Sequence, residues 1–354
     1  MVLLLPTICF PLAAQFDDIA VKAGQARDAD QLEQAASLYR QAVRLRPTWA
    51  EGWWYLGTIA YDRKQFTEAA DSLRKVVALA PKDANAFAML GLSEAQLKEN
   101  RAAQTHLEQA LALDVGDENN MRQVVLFTDA NLLIAAGAFG RAQDALDKLA
   151  SERATAVEEL LLALGRAVIG ILPSDAALAS ETRELLITAG QAEYLDANRR
   201  TSEATAAYGD LAKRFAKAHN VQFAYGRFLL KNHLEDEAVA AFKQEIENNP
   251  QHLLARLGIA GGLLSTEPAI GLPYAEQAVK LAPKLEEAHY LYGACLLETN
   301  QTEQAIGELE IARRLNPKDE RIYFRLAKAY ALAHRKTEAA EARETFQRLR
   351  QASK

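Results

Sequence analysis

Cysteine is almost missing from this chain: Cys9 and Cys295 are its only thiols in 354 residues. Two thiols cannot build the multi-bridge framework that staples small secreted domains. Cys295 lies among apolar residues and reads as a small buried hydrophobe. A basic surplus is missing as well. The formal net charge is −6, without the cationic footprint that a nucleic-acid partner requires. Glycine (18) and proline (10) are too few for a collagenous or broadly disordered chain. No apolar run has the length of a bilayer-spanning helix, so stable membrane insertion is not expected. The motifs of enzyme chemistry are lacking too. There is no GxxxxGK[ST] loop, no GxGxxG after a strand, no HExxH and no Cys–His metal spacing. The histidines at 106, 219, 233, 252, 289 and 334 are scattered, none four residues from another, and read as structural residues on solvated helices. Catalytic residues, cofactors and metals are therefore not expected.

What the chain does have is apolar material, 49% of its residues, distributed with a period. The first fourteen residues, Met1 to Ala14, form a short apolar run ending in small residues. They read as a signal peptide cleaved after Ala14, although no Lys or Arg precedes the run. This predicts an exported, periplasmic protein. A mis-assigned start would instead leave it cytoplasmic.

From there on, a small residue recurs at Ala23, Gly57, Gly91, Ala130, Gly165, Ala192, Gly226, Ala260, Gly293 and Ala327. Most gaps are 34 residues. Twelve positions downstream of each stands a second small residue: Ala35, Ala69, Ala103, Ala142, Ala177, Ala204, Ala238, Ala305 and Ala339, with Gly271 at eleven. Two antiparallel helices in a tight hairpin need small side chains where they cross. Larger residues four further on, Tyr39, Leu73, Leu107, Leu146, Tyr208, Phe242 and Leu309, share a face with the second small residue. Pro47, Pro81, Pro250, Pro283 and Pro317 then end the second helix.

This pattern, clearest in Trp53, Leu56, Gly57, Ala69, Leu73 and Pro81, resembles the tetratricopeptide repeat, a helix–turn–helix unit of 34 residues. The resemblance covers nearly the whole chain after residue 15. It implies an all-α, right-handed superhelical solenoid of about ten repeats, which binds protein or peptide ligands along the first helices on its concave side.

The register breaks twice. The gap from Gly91 to Ala130 is 39 residues, and that from Gly165 to Ala192 is 27. The first predicts about one extra turn near Gly116–Gln123. The second predicts a truncated repeat at 157–184, with Pro173 at a turn, Ser174 and Asp175 capping the next helix, and a joint at 173–190. N-terminal repeats would occupy 15–156 and C-terminal repeats 185–354. The final helix, near Thr337–Arg350, would cap the array with a polar outer face.

The position three before each small residue is expected to face the groove. It carries Trp54, Phe127, Phe223, Tyr290 and Phe324, besides Ala20, Ala88, Leu162, Ala189 and Leu257. Five aromatics in ten positions suggest a ridge that docks a peptide. Neighbouring groove candidates are Tyr55, Thr58, Tyr61, Asp62, Met89, Arg227, Lys231, Arg325 and Lys328. The lysine, asparagine and arginine clamp for a C-terminal carboxylate, known in some relatives, is not matched by Ala20, Gly24, Tyr55 and Asn85. Arg321, Arg325 and Lys328 form a basic stripe, and residues 318–354 carry a net +5 against −11 elsewhere. The reading is a non-catalytic interaction scaffold in the bacterial envelope. Its alternatives are a cytoplasmic adaptor and an accessory subunit of a separate enzyme such as a glycosyltransferase. The partner's identity and the oligomeric state are not legible in these patterns.

Overall fold

Each predicted crossing whose two small residues the structure describes is occupied by a helical hairpin. A computed structural model describes residues 12–116, 120–152, 157–173 and 179–352. Among these there are nineteen helices and no strand. The chain divides into two compact units, Met1–Ala179 and Ser180–Lys354.

The first unit holds α1 (Leu12–Asp28), α2 (Leu32–Leu45), α3 (Ala50–Asp62), α4 (Phe66–Leu79), α5 (Ala84–Gln96), α6 (Asn100–Ala112), α7 (Met121–Ala135), α8 (Phe139–Ser151) and α9 (Glu158–Ile169). The second holds α10 (Ser180–Ala197), α11 (Thr201–Arg214), α12 (Val221–Lys231), α13 (Glu235–Asn248), α14 (Leu253–Gly262), α15 (Pro268–Leu281), α16 (Glu286–Glu298), α17 (Thr302–Leu315), α18 (Glu320–Leu332) and α19 (Lys336–Ala352). These make nine hairpins, with α9 packed on α7 and α8. Of the expected fifth repeat at 157–184, α9 and the first turn of α10 lie among the described residues. Ser174, Asp175 and Ala177 lie outside them, as do residues 1–11. Cleavage after Ala14 would remove the first three residues of α1.

The crossings are close. A Cβ on Gly57 would stand 2.8 Å from Cγ of Leu73, one on Gly91 2.7 Å from Cγ of Leu107, and one on Gly226 2.6 Å from the Phe242 ring. Gly293 repeats this against Leu309 at 2.8 Å. The large residues four positions after the second crossing residue are all buried, from Tyr39 to Leu309. Gly258 also abuts Phe242, at 2.8 Å, and Gly262 abuts Leu230. The glycine cluster of α14 thus serves close helix packing.

The ends of the helices follow from local chemistry. Arg46, Ala80, Asn249, Ala282 and Asn316 close their helices with ψ between 71° and 92°. Each precedes a proline, which disfavours the helical conformation in the residue before it. Inside the hairpins the turn has a second rule. The residue seven after the first crossing residue is left-handed: Asp30, Lys64, Lys98, Gly137, Arg199, His233, Asn300 and His334. The next N–H bonds back five residues, as Gln65 N does to Ala60 O at 2.8 Å and Gln301 N to Leu296 O at 2.8 Å. This is the Schellman closure of a helix. The α14–α15 turn, where the crossing spacing is eleven, has no left-handed residue.

The extra residues before Ala130 fall mainly in the connection from Leu113 to Asn120, with α7 starting two residues earlier relative to its crossing than α3 or α5. The terminal helix exposes Glu341, Arg343, Glu344, Gln347, Arg348 and Arg350, a polar outer face as expected.

Candidate peptide-binding surface

In the first unit the first helices are α1, α3, α5, α7 and α9. Most of their aromatic side chains are engaged in packing. Trp54 and Tyr61 are half-buried against the α3–α6 core, and Tyr61 meets Phe66 at 5.5 Å between ring centres. Tyr55 stacks on Tyr39 at 5.3 Å, with the Arg27 guanidinium 4.0 Å from its ring centre. Ala88 is buried and Ala20 and Leu162 are half-buried. Phe127 is placed differently. With Val124 on α7, Val157 ahead of α9 and Leu160 on α9, it lines an open hollow of about 190 Å³. Val124 is 45% and Val157 43% exposed. Among the described residues, Glu159 is the only charged side chain in the lining.

In the second unit the first helices are α10, α12, α14, α16 and α18. Phe223 is half-buried between Phe242 and His252, at 5.8 and 4.9 Å, and Arg227 lies 6.0 Å above its ring. Tyr290 is buried, covered by the Arg321 guanidinium at 4.6 Å. It is core rather than groove, because the following helix lies over it. Ala189 is buried, Leu257 half-buried, and Leu254 on the same helix 52% exposed. Phe324 is 54% exposed. The expected aromatic ridge is therefore not one continuous surface. Phe127 and Phe324 line open space, while Trp54, Tyr55, Phe223 and Tyr290 fill gaps between helices.

The basic residues are also committed. Lys231 reaches Asp196 on α10 at 2.6 Å. Lys328 reaches Glu298 on α16 at 2.9 Å, and Arg325 bonds the same carboxylate. Arg321 bonds Glu287 and Asp319 at 2.7 and 2.6 Å. The basic stripe of α18 thus ties its hairpin to the preceding one instead of standing free. Oxygens of Glu286, Glu287 and Asp319 lie within 4.8 Å of one another, the only such acidic group among the described residues. The Arg321 guanidinium already supplies the positive charge there. Burial, with Asp319 and Glu287 nearby, pushes the Glu286 carboxyl up to about 6.

The histidines at 106, 252 and 289 have structural partners, and the last two are buried rather than solvated as expected. His252 accepts from Ala255 N at 3.0 Å and caps α14, with its other nitrogen 2.7 Å from Asn220 Oδ1. His289 bridges Glu308 and Pro283 O at 2.6 and 3.1 Å. His106 and Arg74 share the buried Glu94 carboxylate at 2.6 and 2.9 Å. Burial raises the Cys295 thiol to about 11, which leaves it unreactive as a thiolate.

Models of the tetratricopeptide repeat match residues 21–84, 190–253 and 269–323. The chain belongs to the tetratricopeptide repeat family. Among solved structures, this array is similar to a MamA double mutant (20% identity, TM-score 0.45), covering 50% of this chain and 98% of that one. MamA residues 41 to the end from Desulfovibrio magneticus RS-1 match at 20% identity and TM-score 0.43, over 49% and 96% of the two chains. YrrB, a tetratricopeptide protein with an unusual peptide-binding site, matches at 19% and 0.40, over 45% and 82%. No curated protein matches the array.

Proposed function

We propose that this protein is a non-catalytic scaffold in the bacterial envelope, which holds a partner by a peptide laid across the first helices of its first unit. The supporting observation is the hollow around Phe127. Open, apolar space with Val124 and Val157 exposed on and beside adjacent first helices suits one large apolar side chain of a ligand. The peptide's backbone then has the polar Gln123 and Thr128 at the same rim.

Phage display of a random peptide library against the full chain tests this. Selected peptides should bind the unaltered protein and lose roughly tenfold or more in affinity with Phe127→Ala, a change of about 1.4 kcal/mol or more, while its helical circular dichroism stays intact. Peptides indifferent to Phe127→Ala would remove the hollow from the reading. Export is tested separately. Sequencing the N-terminus of protein purified from cells should find Gln15 first, whereas an unprocessed Met1 contradicts an envelope location.

A further inference from the structure

Within the second unit, two junctions between neighbouring first helices, α10 with α12 and α16 with α18, share a charge pattern. Asp196 of α10 receives Lys231 of α12. Glu287 and Glu298 of α16 receive Arg321, Arg325 and Lys328 of α18. The receiving helix offers carboxylates and the incoming helix brings cations. At the corresponding positions α18 offers no carboxylate. The α18 residue in register with Glu287 is Arg321, and the one in register with Glu298 is Leu332.

The groove between α18 and α19 is open, with a volume of about 420 Å³. Phe324, Leu332, Ala331 and Phe346 give it an apolar floor and Arg343 a cationic rim, while Lys328 beside it is paired with Glu298, and the lining holds no carboxylate. Phe324 and Leu332 are each 54% exposed, and the rings of Phe324 and Phe346 meet at 5.6 Å. Arg343 holds the position that carries buried Leu309 in the preceding hairpin. Its charge faces solvent where the array's own packing calls for an apolar side chain. The shape is nonetheless one a helix fills, since α18 itself covers α16 and α17 in this way.

We infer that the α18–α19 groove docks an amphipathic helix of another protein, its apolar stripe on Phe324, Leu332 and Phe346 and its acidic flank against Arg343. An incoming helix with the basic flank used inside the array would set like charges together at this end. That sign difference selects the acidic partner. The site is separate from the Phe127 hollow and does not depend on it.

Two synthetic helices with leucines at i, i+3, i+4 and i+7 provide the probe, one flanked by glutamates and the other by lysines. Fluorescence anisotropy with the full chain should show saturable binding of the glutamate helix only, weakening as salt is raised. Phe324→Ala should weaken it roughly tenfold or more. Arg343→Glu should weaken the glutamate helix and strengthen the lysine helix. Phe127→Ala should leave both titrations unchanged, which separates this site from the first-helix reading. Both altered groove side chains are solvent-facing, and circular dichroism checks that the variants fold. Equal affinity for the two helices, no binding, or binding indifferent to Phe324→Ala would overturn the inference. So would concentration-dependent self-association in sedimentation velocity that Arg343→Glu abolishes, because the occupant would then be a second copy.

Discussion

Beside the crossing, one residue ahead of it, α5 places Leu90 and α7 places Asp129. The hairpins that begin with α3, α14 and α18 also fill this position with buried apolar residues, Leu56, Ile259 and Leu326. Asp129 is nearly as buried, at 4% exposure, and its Oδ1 has no hydrogen-bond partner. Burial first, and then the nearby Glu108, raises its carboxyl from 3.8 to about 6, against the pull of Arg141. The hairpins differ on their outer face too. At the positions six and three before the crossing, α5 carries exposed, polar Asn85 and buried Ala88, while α7 carries Val124 and Phe127 beside the hollow. The regular hairpin keeps its apolar side chains for packing and shows water few of them. The irregular one carries a destabilising carboxylate inside and an apolar surface outside. The repeat therefore tolerates a large local cost without losing register, and its departures from the pattern coincide with the candidate binding surface.

Leu107→Ala should break the regular hairpin, costing about 3 kcal/mol by urea denaturation, since a fully buried leucine is truncated against close-packed Gly91. Asp129→Leu should bring α7–α8 toward its neighbour, a gain of up to about 3 kcal/mol at pH 7. The pH dependence has a definite sign. Because the folded chain holds the Asp129 proton more tightly than the unfolded one, its penalty is full above about pH 6. The penalty fades as pH falls toward the ordinary value of 3.8. Asp129→Leu should remove this contribution when urea midpoints are compared across pH 7 to 4, and an unchanged profile would refute it.

Gly91→Ala, which copies Ala130 into the regular hairpin, should cost about 2 kcal/mol, because the new Cβ would stand 2.7 Å from Leu107 and 3.0 Å from Ala103 O. The smallest effect concerns the turns. Lys98 holds φ at 62° where the α7–α8 turn has Gly137 at 73°. Lys98→Gly should gain on the order of 0.5 kcal/mol, as relief of left-handed strain slightly exceeds the added flexibility of the unfolded chain.

The crossings and the proline stops were legible in the sequence because steric demands restrict which residues can stand there, and Gly226 against Phe242 shows how little room is left. The left-handed turn residues were not. Asp30, Lys64, Arg199, His233 and Asn300 share a backbone conformation without sharing a side-chain type. The groove was only partly legible. Spacing places Phe127, Phe223, Tyr290 and Phe324 at one register position, but exposure depends on what the next helix lays over it. Arg321 covers Tyr290, whereas Phe324 stays half exposed on the last first helix. Val124 and Val157 escaped notice because a single aliphatic residue on a helix face, or ahead of one, carries no distinguishing signal. The basic residues were legible as a stripe, but not their carboxylate partners on the preceding hairpin.

The most direct test of the scaffold reading is a methyl NMR titration of the full chain, labelled at valine and leucine, with a display-selected peptide. A peptide held in the hollow should give saturable shifts centred on Val124, Val157 and Leu160. Shifts confined to second-helix residues such as Val43 and Leu73, with the Phe127 hollow silent, would contradict it.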